Sequence, residues 1–136
     1  MPQHTTNYFN TFIRIAEDCK NLKATIPPRS DKPKIAQLQF DMLIKNPYKF
    51  TSDEVLFHVF ATRNELLPSE LENAKSAFFS KGQPCLRASP LTKTYGWGIH
   101  FDAEGKIALY STESQEYEAL SVNENLQCLK AMRSKK

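Results

Sequence analysis

The amino-acid sequence predicts an α+β fold in which helices pack on one face of an antiparallel sheet. The middle of the chain carries apolar residues at helical spacing, whereas residues 84–112 alternate in the manner of a three-stranded β-meander. A further alternating stretch, residues 7–16, predicts an N-terminal strand that joins the meander. Because 136 residues are enough for one sizeable core, we expect residues 1–136 to form a single domain.

The N-terminal strand and the first helix are predicted from simple spacing. Within residues 7–16, Phe9, Thr11 and Ile13 fall on one side of an extended chain. Residues 35–46 place apolar side chains at helical intervals, and the following Pro47 ends the helix there.

The second helix is predicted over residues 52–64. Thr51 and Glu54 have the spacing of a capping box, in which each side chain satisfies a backbone N–H group of the other residue. The stretch 55–62, VLFHVFAT, is also rich in β-branched and aromatic residues, which favour strands. Helix is the preferred interpretation, and strand stays open as the alternative.

Two more helices complete the helical part of the prediction. Pro68 opens a helix over residues 69–81, since proline suits the first turn of a helix. Residues 114–133 carry apolar side chains at helical spacing and predict a C-terminal helix, with a break near Asn123.

The register of the last two meander strands follows from their turn. Residues 103–105 form a three-residue loop, and such loops favour glycine in the left-handed position, which here is Gly105. A shift of one residue would turn every side chain to the wrong face. The loop pairs Phe101 with Ile107, His100 with Ala108, Ile99 with Leu109 and Gly98 with Tyr110.

The first meander strand, bounded by Pro84 and Pro90, completes one face of small and polar residues. If Leu86 points to the core, the neighbouring odd-numbered residues point the other way. We call the result the glycine-lined face; whether it is open or covered by a helix stays undecided. Its expected members are Cys85, Arg87, Ser89, Gly96, Gly98, His100 and Tyr110.

This face is the predicted binding site of a small domain without catalytic activity of its own. The guanidinium of Arg87 suggests an anionic small molecule or an acidic partner segment as the ligand. A structural role for Arg87 and His100 is the simpler alternative. The candidate binding residues are Arg87, Lys93, Tyr95, Gly96, Gly98, His100 and Tyr110.

A second hypothesis is a small thiol-dependent enzyme. Cys85 and His100 on one face could form a thiol–imidazole pair in which the imidazole acts as base. The sequence shows no third orienting group. Histidines and cysteines have no metal-ligand spacing, so we expect neither a metal nor another cofactor.

Composition and charge bear on partners and location. The net charge of +3 is mild for a nucleic-acid-binding protein, so such binding is expected only as a weak alternative. Three cysteines without a CxxC pair, no secretory signal and no long apolar run predict a cytoplasmic protein that does not enter a membrane. The nucleic-acid alternative would use the basic tail, Lys130, Arg133, Lys135 and Lys136.

Two segments together resemble a known group of proteins. FSKGQPCLRASPL followed by YGWGIHFDAEGKIALY, with NPYKFTSDEVLF upstream, resembles a family of small, functionally uncharacterised proteins found mainly in bacteria. The resemblance covers nearly the whole chain. It implies one soluble domain of this length and assigns no catalytic residue.

Overall fold

The computed structural model describes residues 5–19, 23–32, 34–83 and 85–132. They form four strands and five helices, joined in part by two short 3-10 turns. The strands are β1 (Thr11–Arg14), β2 (Trp97–Phe101), β3 (Ile107–Ser111) and β4 (Gln127–Lys130). The helices are α1 (Ile35–Lys45), α2 (Ser52–Arg63), α3 (Leu71–Phe79), α4 (Pro90–Lys93) and α5 (Gln115–Ser121), and the 3-10 turns are Pro68–Glu70 and Leu86–Ala88.

The four strands form one mixed sheet in the order β3-β2-β1-β4. β1 is antiparallel to β2, and β2 is antiparallel to β3. β1 and β4 are parallel, so the expectation of a purely antiparallel sheet is wrong. The α+β class itself is confirmed.

The hairpin of β2 and β3 has the predicted register. Phe101 pairs with Ile107, and His100 pairs with Ala108. Gly105 takes the left-handed conformation that the turn requires, with φ of +80°. Trp97, Ile99 and Phe101 therefore share one face of β2, and Gly98 and His100 share the other.

The predicted strand between Pro84 and Pro90 is absent from the described part of the chain, and Pro84 itself lies outside it. Residues Leu86–Ala88 form a 3-10 turn, and Pro90 begins α4. Ser89 caps α4, because its hydroxyl accepts a hydrogen bond from the backbone N–H of Leu91 at 3.1 Å. β1 occupies the place beside β2 that the prediction gave to this segment.

The C-terminal prediction of one broken helix is also wrong. α5 ends at Ser121, and the chain then turns into β4, which runs beside β1. The backbone N–H of Gln127 donates to the carbonyl of Asn10 at 2.9 Å, and that of Ala131 donates to Arg14 at 2.8 Å. These long-range bonds to β1 override the helical spacing of the segment. Arg133 lies outside the described residues.

The remaining helices follow the sequence closely. Thr51 and Glu54 form both bonds of the capping box, so residues 55–62 are helical. The expected helix over 69–81 begins as a 3-10 turn and continues as α3, and the strand expected over 7–16 is confined to β1. In the described part of the chain, no helix combines the length and apolar character needed to cross a membrane.

The main core lies between the sheet and the helices. Ile13, Ile99, Phe101 and Ile107 are fully buried on one sheet face, and the apolar sides of α1, α2 and α4 contribute to the same cluster.

Candidate functional site

The sheet face that was predicted to bind a ligand brings His100 and Tyr110 together with an unexpected third residue, Tyr48. The hydroxyl oxygen of Tyr48 lies 2.7 Å from Nδ1 of His100 and 2.7 Å from the hydroxyl oxygen of Tyr110. We call these three residues the tyrosine–histidine cluster. The phenol of Tyr48 is its centre, since it shares a hydrogen bond with each of the other two side chains.

Tyr48 reaches this position through an unusual backbone conformation. Its φ is +58°, in the left-handed region that is uncommon for a bulky side chain. The backbone N–H of Tyr48 donates to the carbonyl of Ile107 at 2.8 Å, and the N–H of Ile107 donates to Phe50 at 2.9 Å. The segment is thus held against the beginning of β3, which fixes the phenol above the sheet.

Partial desolvation favours the uncharged forms of His100 and Tyr48. Desolvation lowers the pKa of His100, and the nearby carboxylate of Asp102 opposes this effect only in part. Desolvation also raises the pKa of Tyr48, with a further rise from its hydrogen bond to Tyr110. Neither Tyr48 nor His100 therefore offers a charge to an anionic ligand near pH 7.

The same face is closed at Gly98 by aromatic rings. A Cβ atom at Gly98 would lie 2.6 Å from Cζ of Phe12 and 2.6 Å from Cε2 of Tyr117, the residue of α5 that covers the sheet here. The two rings meet edge to face with centroids 5.1 Å apart, and the hydroxyl of Tyr117 accepts from the N–H of Ile15 at 3.0 Å. The depression at this glycine is filled by protein.

Arg87 lies at the edge of the sheet, away from the cluster. Its Nε donates to the carbonyl of Lys130 at 2.9 Å, and its own carbonyl accepts from the N–H of Met132 at 2.8 Å. Arg87 therefore tethers the end of β4, which is a structural use of the guanidinium. Lys130 forms an ion pair with Glu17 at 2.8 Å; the other tail cations, Arg133, Lys135 and Lys136, lie outside the described residues.

The predicted pair of Cys85 and His100 is not formed. The Sγ atom of Cys85 lies 3.2 Å from the hydroxyl of Tyr8, whose ring packs on Phe101 with centroids 5.3 Å apart. Phe101 and His100 point to opposite faces of β2, so the thiol and the imidazole lie on opposite sides of the sheet. Burial, and then the hydrogen bond to Cys85, raise the pKa of Tyr8 to about 12.

The other predicted binding residues lie apart from the cluster. Lys93 ends α4, and Gly96 precedes β2 with φ of +80°, where its carbonyl accepts from the hydroxyl of Thr112 at 2.9 Å. Tyr95 lines a cavity on the other side of the sheet. Of the seven candidates, only His100 and Tyr110 share a hydrogen-bonded group, and Gly98 lies beside it under α5.

A cavity of about 350 Å³ lies among α1, α2, α3 and the segment 85–90, and we call it the helix cavity. Its deep wall includes the buried pair Gln39 and Ser89, in which the Ser89 hydroxyl donates to Oε1 of Gln39 at 2.6 Å. Cys85 also lines it. The rest of the wall is mainly apolar, from Ile35, Leu56, Val59, Phe60, Phe78 and Leu86.

A second cavity, of about 600 Å³, adjoins the first, and we call it the proline cavity because Pro27, Pro28 and Pro90 line it. Both cavities share Ile35, Arg63 and Pro90. Arg63 is exposed at this junction, and within the described residues its guanidinium has no ion-pair partner. Lys34 lines the proline cavity, and among the described residues no Asp or Glu lines either cavity.

Comparison with known proteins identifies a family. The family DUF6157, described as a family of unknown function, matches residues 3–136. The chain belongs to this family. No curated protein and no solved structure matches the chain. The comparison agrees with the resemblance to an uncharacterised family and adds no activity.

Sequence reasoning missed Tyr48, Gln39 and Arg63. Tyr48 is 52 residues from His100, and no local pattern shows that they meet. Arg63 stands in the last turn of α2, where a cation is expected for the helix dipole alone. Gln39 offered one signal, a polar residue on the buried side of a predicted helix.

In the described residues, no three His, Cys, Asp or Glu side chains lie together as a metal site.

Proposed function

We propose that the chain is a single binding domain without catalytic activity of its own, and that its ligand is a small, largely apolar molecule held in the helix cavity. The carrying observation is the cavity itself, whose volume of about 350 Å³ lies within the range of roughly 300–1,000 Å³ typical of small-molecule sites. Its apolar wall and few polar groups are also typical of such sites.

Partial exposure of large apolar side chains supports the same proposal. Ile35 is 39% exposed and Phe60 is 37% exposed, and both line the helix cavity. A ligand in the cavity would remove part of this apolar surface from water, which stabilises a complex by about 25 cal/mol per Å² before the costs of association. The glycine-lined face offers no comparable stabilisation of a complex, because the rings of Phe12 and Tyr117 fill it at Gly98.

The thiol-enzyme hypothesis has less support. Cys85 lines the helix cavity and so lies near the proposed ligand. The imidazole expected to act as its base is on the other side of the sheet, and the phenol beside it has a pKa raised to about 12. A phenol that holds its proton so firmly is a poor base near neutral pH. We include a cytoplasmic location in the proposal, because the sequence has three cysteines and no CxxC pair.

Titration calorimetry with decanol tests the proposal, because decanol is an uncharged, largely apolar probe. We expect saturable binding at one site. Ala88 lines the cavity, so Ala88→Trp fills it and weakens binding at least about tenfold, or about 1.4 kcal/mol. Ala77→Trp is the matched control, since Ala77 is exposed on α3 and does not line the cavity.

Two results would contradict the proposal. The first is the absence of saturable decanol binding to the unaltered protein. The second is equal decanol affinity in the Ala88→Trp and Ala77→Trp variants when both unfold cooperatively, because the ligand would then bind elsewhere.

A further inference from the structure

We propose that the ligand is an amphipathic monocarboxylate, with its apolar body in the helix cavity and its carboxylate between Arg63 and Lys34 at the entrance to the proline cavity. The proposal rests on the proposed function and adds the chemical class of the ligand. It assigns a cationic site that is different from the Arg87 site expected from the sequence.

The first support is the continuity of the two cavities. Ile35, Arg63 and Pro90 line both, so their openings meet at these residues. A molecule that extends from the helix cavity into the proline cavity therefore passes these residues.

The second support is that two deep polar groups, the Ser89 hydroxyl and Oε1 of Gln39, already have partners. The Ser89 hydroxyl donates to Gln39 at 2.6 Å and accepts from the N–H of Leu91 at 3.1 Å. A ligand that ends in a methyl group at this depth leaves no hydrogen bond of Ser89 unmade. An apolar inner end of the ligand therefore fits the wall beside Ser89.

Two amide side chains that line the helix cavity, those of Asn64 and Gln83, each donate one hydrogen bond to the backbone. Nδ2 of Asn64 donates to the carbonyl of Phe60 at 2.8 Å, and Nε2 of Gln83 donates to the carbonyl of Phe78 at 2.7 Å. Arg63 differs from them, because no described side chain is placed to pair with its charge. On Arg63 a polar ligand group finds a charged donor that has no described ion-pair partner.

The third support is charge. Arg63 and Lys34 are cations, and the lining residues that the structure describes for both cavities include no acid that could neutralise them. A guanidinium presents a planar pair of N–H donors that matches the two oxygens of a carboxylate. Both cations are exposed, so a carboxylate there keeps part of its hydration, and a second cation adds attraction without requiring a buried charge.

The experiment compares decanoate with decanol, which differ in the polar end and share the alkyl chain. In low-salt titration calorimetry we expect decanoate to bind about tenfold more tightly, the effect of one charge-assisted hydrogen bond. Arg63→Met should bring the affinity ratio close to one, and Lys34→Met should lower it in part. Lys75→Met removes the same charge from an exposed position on α3 and should leave the ratio unchanged.

The outcomes separate this inference from the proposed function. If decanol binds and decanoate binds no more tightly, the inference is wrong and the cavity proposal stands. A preference for decanoate that survives Arg63→Met, or that Lys75→Met removes equally, also overturns the inference. If neither compound binds, both proposals fail.

Discussion

The tyrosine–histidine cluster and the helix cavity lie on opposite sides of the sheet, and they differ in how their polar groups are used. In the cluster, the Tyr48 phenol bonds to both His100 and Tyr110 at 2.7 Å. At the cavity, about 350 Å³ of space has a mainly apolar wall, and the exposed cation Arg63 has no described ion-pair partner. In the cluster the polar side chains bond to one another, whereas at the cavity a cation is available to a ligand.

This difference teaches that residue type alone does not identify a binding site. Histidine and tyrosine drew attention in the sequence, yet here they connect the segment around Tyr48 to β2 and β3. A left-handed tyrosine costs about 1–3 kcal/mol, and the backbone bonds to Ile107 together with the two phenol bonds offset that cost. We therefore infer that the cluster serves stability and that binding belongs to the helix side.

The largest effect should come from Gly98→Ala. Its Cβ atom would lie 2.6 Å from both Phe12 and Tyr117, and neither ring can move freely, because Phe12 is fully buried and the Tyr117 hydroxyl is bonded. Overpacking of this kind lowers the free energy of unfolding by about 1–3 kcal/mol. Urea denaturation measures the loss, and decanol affinity below the transition should not change.

A double variant sharpens the Gly98 prediction. With Tyr117→Ala present, the added methyl group has room on one side, so Gly98→Ala should cost less than it does in the unaltered protein. Equal costs in the two backgrounds would show that α5 does not constrain Gly98. If Gly98→Ala instead kept the full stability of the protein and lost decanol binding, the ligand would bind on the glycine-lined face.

Tyr48→Phe should have a smaller effect. The substitution removes both hydrogen bonds of the phenol. Tyr48 is 37% exposed, so water can bond to His100 and Tyr110 in place of the lost hydroxyl. We therefore expect a loss of about 1 kcal/mol in unfolding free energy. Tyr110→Phe is the matched control because it removes one of the two bonds and should cost about half as much. Weaker decanol binding in Tyr48→Phe at unchanged stability would contradict our assignment of roles.

The parts of the fold that could be predicted are those whose conformation is determined by residues close together in sequence. The turn at Gly105 and the alternation from Trp97 to Phe101 fix the β2–β3 register, and Thr51 with Glu54 fixes the beginning of α2. Each signal lies within a few residues of the structure it specifies. Such signals survive folding because the tertiary contacts agree with them.

The segment after Pro84 shows why alternation alone can mislead. Its pattern fits a strand, but Ser89 followed by Pro90 is also an N-cap followed by a proline in the first helical turn. β4 had no comparable local signal, since its strand conformation depends on pairing with β1 more than 110 residues earlier, as in the pair Thr11 and Gln127. That pairing is a property of the assembled sheet.

The candidate site was harder to predict than the fold. Most of its residues were assigned to one face by the alternation of a predicted strand that does not form. Arg87 and His100 were expected on one face only if residues 84–91 were extended. The helix cavity, by contrast, is a gap left by the packing of three helices, and a gap has no residue pattern of its own. Its cation, Arg63, is an ordinary helix-end residue until the fold places Ile35 and Pro90 beside it.

The smallest effect concerns pH and again separates the two sides of the sheet. Burial lowers the pKa of His100 in the folded protein below its ordinary 6.5, so the unfolded chain binds its proton more readily. The contribution of neutral His100 to stability is fully present above about pH 6.5 and is lost as the pH falls through that value and toward the folded pKa. Urea denaturation at about pH 7.5 and about pH 5.5 should therefore show a smaller difference in His100→Asn than in the unaltered protein. His58→Asn, at an exposed position on α2, is the matched control, and an equal reduction in both variants would place the pH sensitivity outside the cluster.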